Sequence, residues 1–351
     1  MYLKDFVDIK MGQSPDSKFY NYDEIGLPFY QGKADFGRIN PTPKIWCSKP
    51  KKEAKPNDIL ISVRAPVGDL NINNEQSCIG RGLAAITCRP DVDMMYVYYY
   101  LKHLKPQLKH ISTGSTFESI NRTQLENLII DYKPYSEQIK ISNILQVVER
   151  EIEVKENLLR LYDLLIKSRF VEMFGDPNAS RTKYKLVPIH MVTGCMVPGR
   201  DKPKSFTGEI PWITINDLNI NGYTNKSKLG LGLTIDEVKE VNRKCVPQGS
   251  VLMSCVGNLG LCSIASVDVV INQQLHSYQC NELINNLYLM YYLSFKNTYM
   301  NKVASSTTVL YMNKNACNNI PVLLPPIELQ ISFAKYLNQI NKLKFAKIVY
   351  N

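Results

Sequence analysis

The chain has 351 residues, room for two domains that each bury a core of ordinary size. Hydrophobic residues at 44% and charged residues at 21% make a globular balance, and no apolar run approaches the roughly 18 residues that span a bilayer. The net charge of +10 suits a polyanionic partner, though composition alone supports nucleic-acid binding only weakly.

The start, Met1-Tyr2-Leu3-Lys4-Asp5, carries charge where a signal peptide needs an apolar stretch, so a cytoplasmic location is expected. A basic loop, Gln31-Gly32-Lys33, comes early. Pro56-Asn57-Asp58 then reads as a turn feeding a buried strand at 59–63. Ser77-Cys78-Ile79 and Leu83-Ala84-Ala85-Ile86 are expected strands around the turn Gly80-Arg81-Gly82. Residues 94–108 carry tyrosines and leucines on one stripe and predict a helix. A loop at 112–116 leads to a short helix at 121–125 and an apolar strand, Leu128-Ile129-Ile130. This mixture predicts an α+β domain. The tyrosines at 96–100 belong in its core rather than on a base-stacking platform.

From 135 to 174 neither Pro nor Gly interrupts the chain. Ile141, Leu145, Val148, Ile152, Leu159, Tyr162 and Ile166 recur at steps of three and four. The spacing predicts a helix of about 40 residues, ~60 Å at ~1.5 Å per residue. It carries a coiled-coil seam whose register Lys155 and Arg169 would set. Gly175-Asp176-Pro177 is the stop.

The design then repeats at an offset of 192 residues. Leu60-Ile61-Ser62 meets Leu252-Met253-Ser254, Gly68 meets Gly260, and Cys88 meets Cys280. Tyr96, Tyr99, Tyr100 and Leu101 meet Tyr288, Tyr291, Tyr292 and Leu293. Further on, Gln138-Ile139 meets Gln330-Ile331. Apolar and turn positions match while the polar residues between them differ. Two copies of one scaffold, each bound to a different target, would look like this. The second copy closes with a shorter helix at 326–351. Its Ile331 and Leu337 are expected in an antiparallel seam with part of the long helix.

The order of globular unit, long helix ending Met173-Phe174-Gly175-Asp176-Pro177, second unit and second helix resembles the specificity (S) subunit of type I restriction-modification enzymes. The helix starts Pro134-Tyr135-Ser136-Glu137-Gln138-Ile139 and Pro326-Ile327-Glu328-Leu329-Gln330-Ile331 carry the resemblance too. It implies target recognition domains at 1–133 and 175–325, with spacer helices at 134–174 and 326–351. Each domain would read one half of a bipartite double-stranded DNA site in pseudo-twofold repeat. The helices would set the spacing and dock two methyltransferase subunits, with restriction and translocase subunits as further partners. No cofactor is expected on this chain, S-adenosylmethionine belonging to the methyltransferase. The departure from the family pattern is the short second helix.

Polar residues in loops between matched scaffold positions are the candidate DNA contacts. They are Gln31, Lys33, Arg38, Arg64 and Arg81 in the first unit. In the second they are Thr214, Asn216, Asp217, Gln273 and Gln274. Arg suits guanine, and Gln or Asn suits adenine. The loops at 112–116 and 305–308 are expected phosphate donors.

Signs of catalysis are missing. Asn40-Pro41-Thr42-Pro43 and Leu324-Pro325-Pro326-Ile327 are not a methyltransferase motif, and there is no Walker loop. Four histidines form no ligand pair, and nine scattered cysteines without a CxxC pair predict free, mostly buried thiols and no zinc. A free-standing enzyme on nucleic acid and a coiled-coil protein without DNA binding are the competing readings.

Overall fold

The computed structural model describes residues 1–112, 118–179, 181–199, 201–306 and 309–349. The chain packs as two units, Met1–Val154 and Lys155–Asn351. The division falls inside the helix Tyr135–Phe174.

In the first unit, the fully buried strand Ile59–Ser62 shows how the layers arise. Side chains of a strand alternate between faces. Ile59 and Ile61 therefore enter a core shared with Val97, Leu101 and Leu125, whereas Leu60 enters a second core with Tyr30, Ile79 and Ala85. An antiparallel sheet runs Val7–Met11, Leu83–Cys88, Ile59–Ser62, Leu70–Ile72. A second sheet runs Tyr20–Asn21, Trp46–Cys47, Leu27–Tyr30, Ser77–Ile79, Glu53–Ala54, with one parallel pair, Phe29 to Cys78. On the other face lies the helix Met94–His103, capped by the Asp93 carboxylate, which accepts from Tyr96 N at 2.7 Å.

The second unit follows the same plan. Val251 and Met253 enter one core and Leu252 another. Trp212 pairs in parallel with Val270, as Phe29 does with Cys78. Leu83–Cys88 recurs as Leu275–Cys280, Met94–His103 as Asn286–Phe295, and Arg122–Glu126 as Lys314–Asn318. Buried polar contacts recur too. Ser62 Oγ donates to Pro66 O at 2.7 Å and accepts from Asp69 N, while Ser254 Oγ donates to Asn258 O and accepts from Leu261 N. The buried Gln138 accepts from Asp93 N and donates to Lys133 O, and Gln330 does the same with Asn285 N and Pro325 O. Each glutamine fastens the start of a helix to its own globular unit.

Several sequence expectations change. The helix expected at 94–108 is two, Met94–His103 and Lys105–Ile111, with Pro106 in the first turn of the second. The strand expected at 128–130 is one bridge, Ile129 to Tyr2. The long helix holds all 40 residues and stops at Gly175, whose φ of +85° suits a residue without Cβ.

The expected seam is covered only in part. Ile141 packs beside the first unit's core, Tyr162 is half-buried and Ile166 buried in the second, and Leu159 is half-buried. Leu145, Val148 and Ile152 are exposed instead. In the second unit the helix Ile327–Val349 lies antiparallel to the end of the long helix. Phe333 meets Phe170 at 5.3 Å between ring centres, and Lys344 further along meets Asp163 at 2.6 Å. Its buried stripe is Phe333, Ala334, Leu337 and Ile340. Leu337 is therefore a seam residue, but Ile331, at 41% exposed, is not. It lies outside the stripe that Phe333 defines.

Candidate nucleic-acid interface

In the first unit Gln31, Lys33, Arg64 and Arg81 line one recess of about 560 Å³, together with Ser14 and Tyr20. The backbone explains how they meet. Asp35 accepts from Gln31 N at 2.6 Å and folds the loop after strand Leu27–Tyr30. The Gly80-Arg81-Gly82 turn lies flush against that loop. A Cβ at Gly82 would stand 2.2 Å from Gln31 O, so only glycine fits. Arg81 N donates to Ser14 Oγ at 3.3 Å, and Arg64 forms a bridge with Ser119.

The cations differ in how they are held. Lys33 and Lys105 flank the Asp69 carboxylate at 3.0 and 2.5 Å. Burial would raise the pKa of Asp69, but the two lysines overcome it and hold the group below the usual carboxylate value. Arg38 lines a neighbouring recess with Lys33 and Lys102, and pairs with Glu153 at 2.6 Å. That pair is half-exposed, worth about 1 kcal/mol at most, so a phosphate can displace it. Arg64 and Arg81 are exposed, and their guanidinium groups make no hydrogen bond or ion pair among the described residues.

In the second unit the sequence expectations fare unevenly. Asp217 is only 7% exposed and accepts from Thr214 N at 2.8 Å, Thr214 Oγ1 at 2.7 Å and Lys228 N at 2.7 Å. Burial would raise its pKa, but these hydrogen bonds lower it. Asp217 is thus a capping carboxylate, the counterpart of Asp35, and its oxygens are turned into the fold instead of toward DNA. Its demand also engages the Thr214 hydroxyl. Gln274 is half-buried and its Oε1 accepts from Asn272 Nδ2 at 3.0 Å, while Gln273 and Asn216 are exposed.

A recess of about 390 Å³ in this unit is lined by Pro198, Arg243, Lys244 and Lys314. Arg243 is buried over the Trp212 ring and donates to Asp201 O and Ile271 O, so it is structural. The Lys244 and Lys314 ammonium groups make no hydrogen bond or ion pair among the described residues. Neither lysine is among the candidates read from the sequence. The 192-residue register sets Lys314 on Arg122, which is ion-paired to Glu126 and so gave no signal.

The tyrosine clusters pack in or against the core as expected, with Tyr99 and Tyr100 half-buried at its edge. Tyr96, Tyr98, Tyr288, Tyr291 and Tyr292 are at most 7% exposed, and Tyr288 Oη donates to Leu323 O as Tyr96 Oη does to Asp131 O. Residues 113–116 and 307–308 of the expected phosphate loops lie outside the described residues. Among the described residues no cluster of three His, Cys, Asp or Glu side chains is placed to hold a metal, and no helix is long and apolar enough to cross a membrane. All nine cysteines are free, five of them buried.

Residues 1–160 and 193–348 each match the family described as type I restriction modification DNA specificity domain. The chain belongs to that family. Over 151 residues it is 45% identical to a Methanocaldococcus jannaschii protein named for the type I restriction enzyme MjaX specificity subunit, covering 43% of this chain and 36% of that one. The type I restriction enzyme MjaIX specificity subunit of the same organism is 26% identical over 185 residues, 50% of this chain and 43% of that protein. Both matches span less than half of the relatives' own length. A crystal structure of a type I restriction-modification S subunit from M. genitalium aligns with all of this chain and 92% of its own, at a TM-score of 0.59 and 15% identity. That likeness speaks for the fold.

Proposed function

We propose that this specificity-family chain is a non-catalytic DNA reader, each of whose units contacts one half of an asymmetric bipartite site. The observation that carries the reading is one scaffold present twice with different polar side chains at equivalent exposed positions. Arg81 occupies the place of Gln273, both exposed at the tip of the same turn. Basic side chains at both recesses would anchor phosphates, and neutral amides or arginines nearby would read base edges. The helix Tyr135–Phe174 would fix the separation of the half-sites. Its exposed Leu145, Val148 and Ile152 would receive the methyltransferase subunits, which would carry S-adenosylmethionine.

Selection of duplexes from a random pool by the chain assembled with its methyltransferase subunits tests this. The expected product is a motif of two unlike half-sites separated by a fixed gap. Binding without sequence preference would contradict it.

A further inference from the structure

We infer that Arg81 and Gln273 are equivalent base-reading positions, Arg81 setting a guanine in one half-site and Gln273 an adenine in the other. The inference rests on the bipartite reading above and assigns chemistry within it.

The two turns are held by matching backbone hydrogen bonds, although Gln274 stands where Gly82 closes on Gln31 O. Gly80 N donates to Tyr30 O at 2.8 Å, as Asn272 N does to Ile213 O at 3.0 Å. Leu83 N donates to Gly80 O, as Leu275 N does to Asn272 O. Val63 N donates to Gly82 O at 2.9 Å, as Cys255 N does to Gln274 O at 2.8 Å. Three matched hydrogen bonds thus hold the two tips alike, between a parallel-paired strand and the central antiparallel sheet. What differs is the side chain that leaves the tip. It is an exposed arginine flanked by glycines in one unit and an exposed glutamine flanked by Asn272 and Gln274 in the other.

Those two side chains are complementary to different purines. A guanidinium donates twice, matching the N7 and O6 acceptors of guanine. A carboxamide donates once and accepts once, matching N7 and N6 of adenine. The neutral Gln273 carboxamide releases no counterion at a phosphate, whereas against adenine it uses both its donor and its acceptor. A fixed backbone also reduces the ordering needed on binding, as direct readout requires. The surroundings of Arg81 favour a base over an internal partner. No carboxylate lines its recess, the nearby Asp35 caps the Gln31 loop, and Asp69 is held by two lysines.

The test uses the chain assembled with its methyltransferase subunits and duplexes carrying the selected motif. Each guanine is replaced in turn by 7-deazaguanine, which lacks the N7 acceptor, and each adenine by 7-deazaadenine. At one guanine the replacement is expected to weaken wild-type binding roughly ten- to hundredfold while leaving Arg81→Gln unaffected. Arg81→Gln should also exchange that guanine for adenine in the selected motif, with the other half-site unchanged. The same experiment on Gln273→Arg should shift an adenine of the other half-site to guanine. Uniform weakening of all duplexes by Arg81→Gln, with an unchanged motif, would overturn the inference and make Arg81 a phosphate anchor. Should that variant fail to fold, wild-type indifference to every 7-deazaguanine would overturn it equally. If the wild-type complex selects no bipartite motif, it is the underlying reading that fails.

Discussion

At the residue scale, the buried carboxylate Asp217 is the clearest case of a polar residue that serves the fold. Four groups of the chain turn toward it, including two backbone N–H donors. Asp217→Ala would strand those donors and should lower stability by about 1–3 kcal/mol in urea denaturation at pH 7. Because the folded state lowers this pKa below 3.8, the contribution is present above the unfolded value and is lost as pH falls through the folded one. The difference between wild type and variant should therefore hold at pH 5 to 7 and shrink below about pH 4. Thr214-Ile215-Asn216-Asp217 has the local spacing of a capping box, a signal that outweighs the polar-loop reading, whereas the Lys228 N–H that completes the burial comes from eleven residues on. Conversely, Arg64 and Arg81 are legible as cations at strand ends near glycines, but their meeting in one recess depends on strands far apart in the chain.

At the element scale, the helix starts are locked by buried amides. Gln330 is 0% exposed and bonds Asn285 N, Leu283 O and Pro325 O. Gln330→Ala should destabilise the second unit by about 1–3 kcal/mol, read as earlier loss of amide-exchange protection at the start of Ile327–Val349. The periodicity of residues 135–174 gave the long helix and its stop correctly, since an uninterrupted stripe and a glycine suffice for that. It did not tell which stretch of the stripe is covered, because that depends on where the partner helix lies. Pro106 marks the break before Lys105–Ile111, although the apolar stripe runs on across it. Since Leu145 and Ile152 are exposed, the double substitution to Asp should leave the melting temperature within about 2 °C of wild type. Its predicted effect is loss of methyltransferase subunits in co-purification. Retained association would remove these residues from the docking face.

At the scale of the whole molecule, the duplication was fully legible, because core and turn positions conserve their spacing even where surface residues drift. The offset holds at 192 from Ile59–Ser62 to the final helices. It changes near the start of each unit, where the turn Leu3–Asp5 corresponds to Ile189–Met191. Loops of unequal length at the surface account for the difference. With a net charge of +10, binding should weaken as salt rises, with log K linear in log salt. Neutralising Arg64 or Lys314 should reduce the slope by about one each and weaken all sequences alike. The central claim is that two unlike readers on one chain specify an asymmetric bipartite site. Genome-wide mapping of DNA methylation in cells with and without this gene tests it most directly. The account predicts that one motif of two unlike half-sites separated by a fixed gap loses methylation when the gene is removed. A methylation pattern unchanged at every bipartite motif would contradict it.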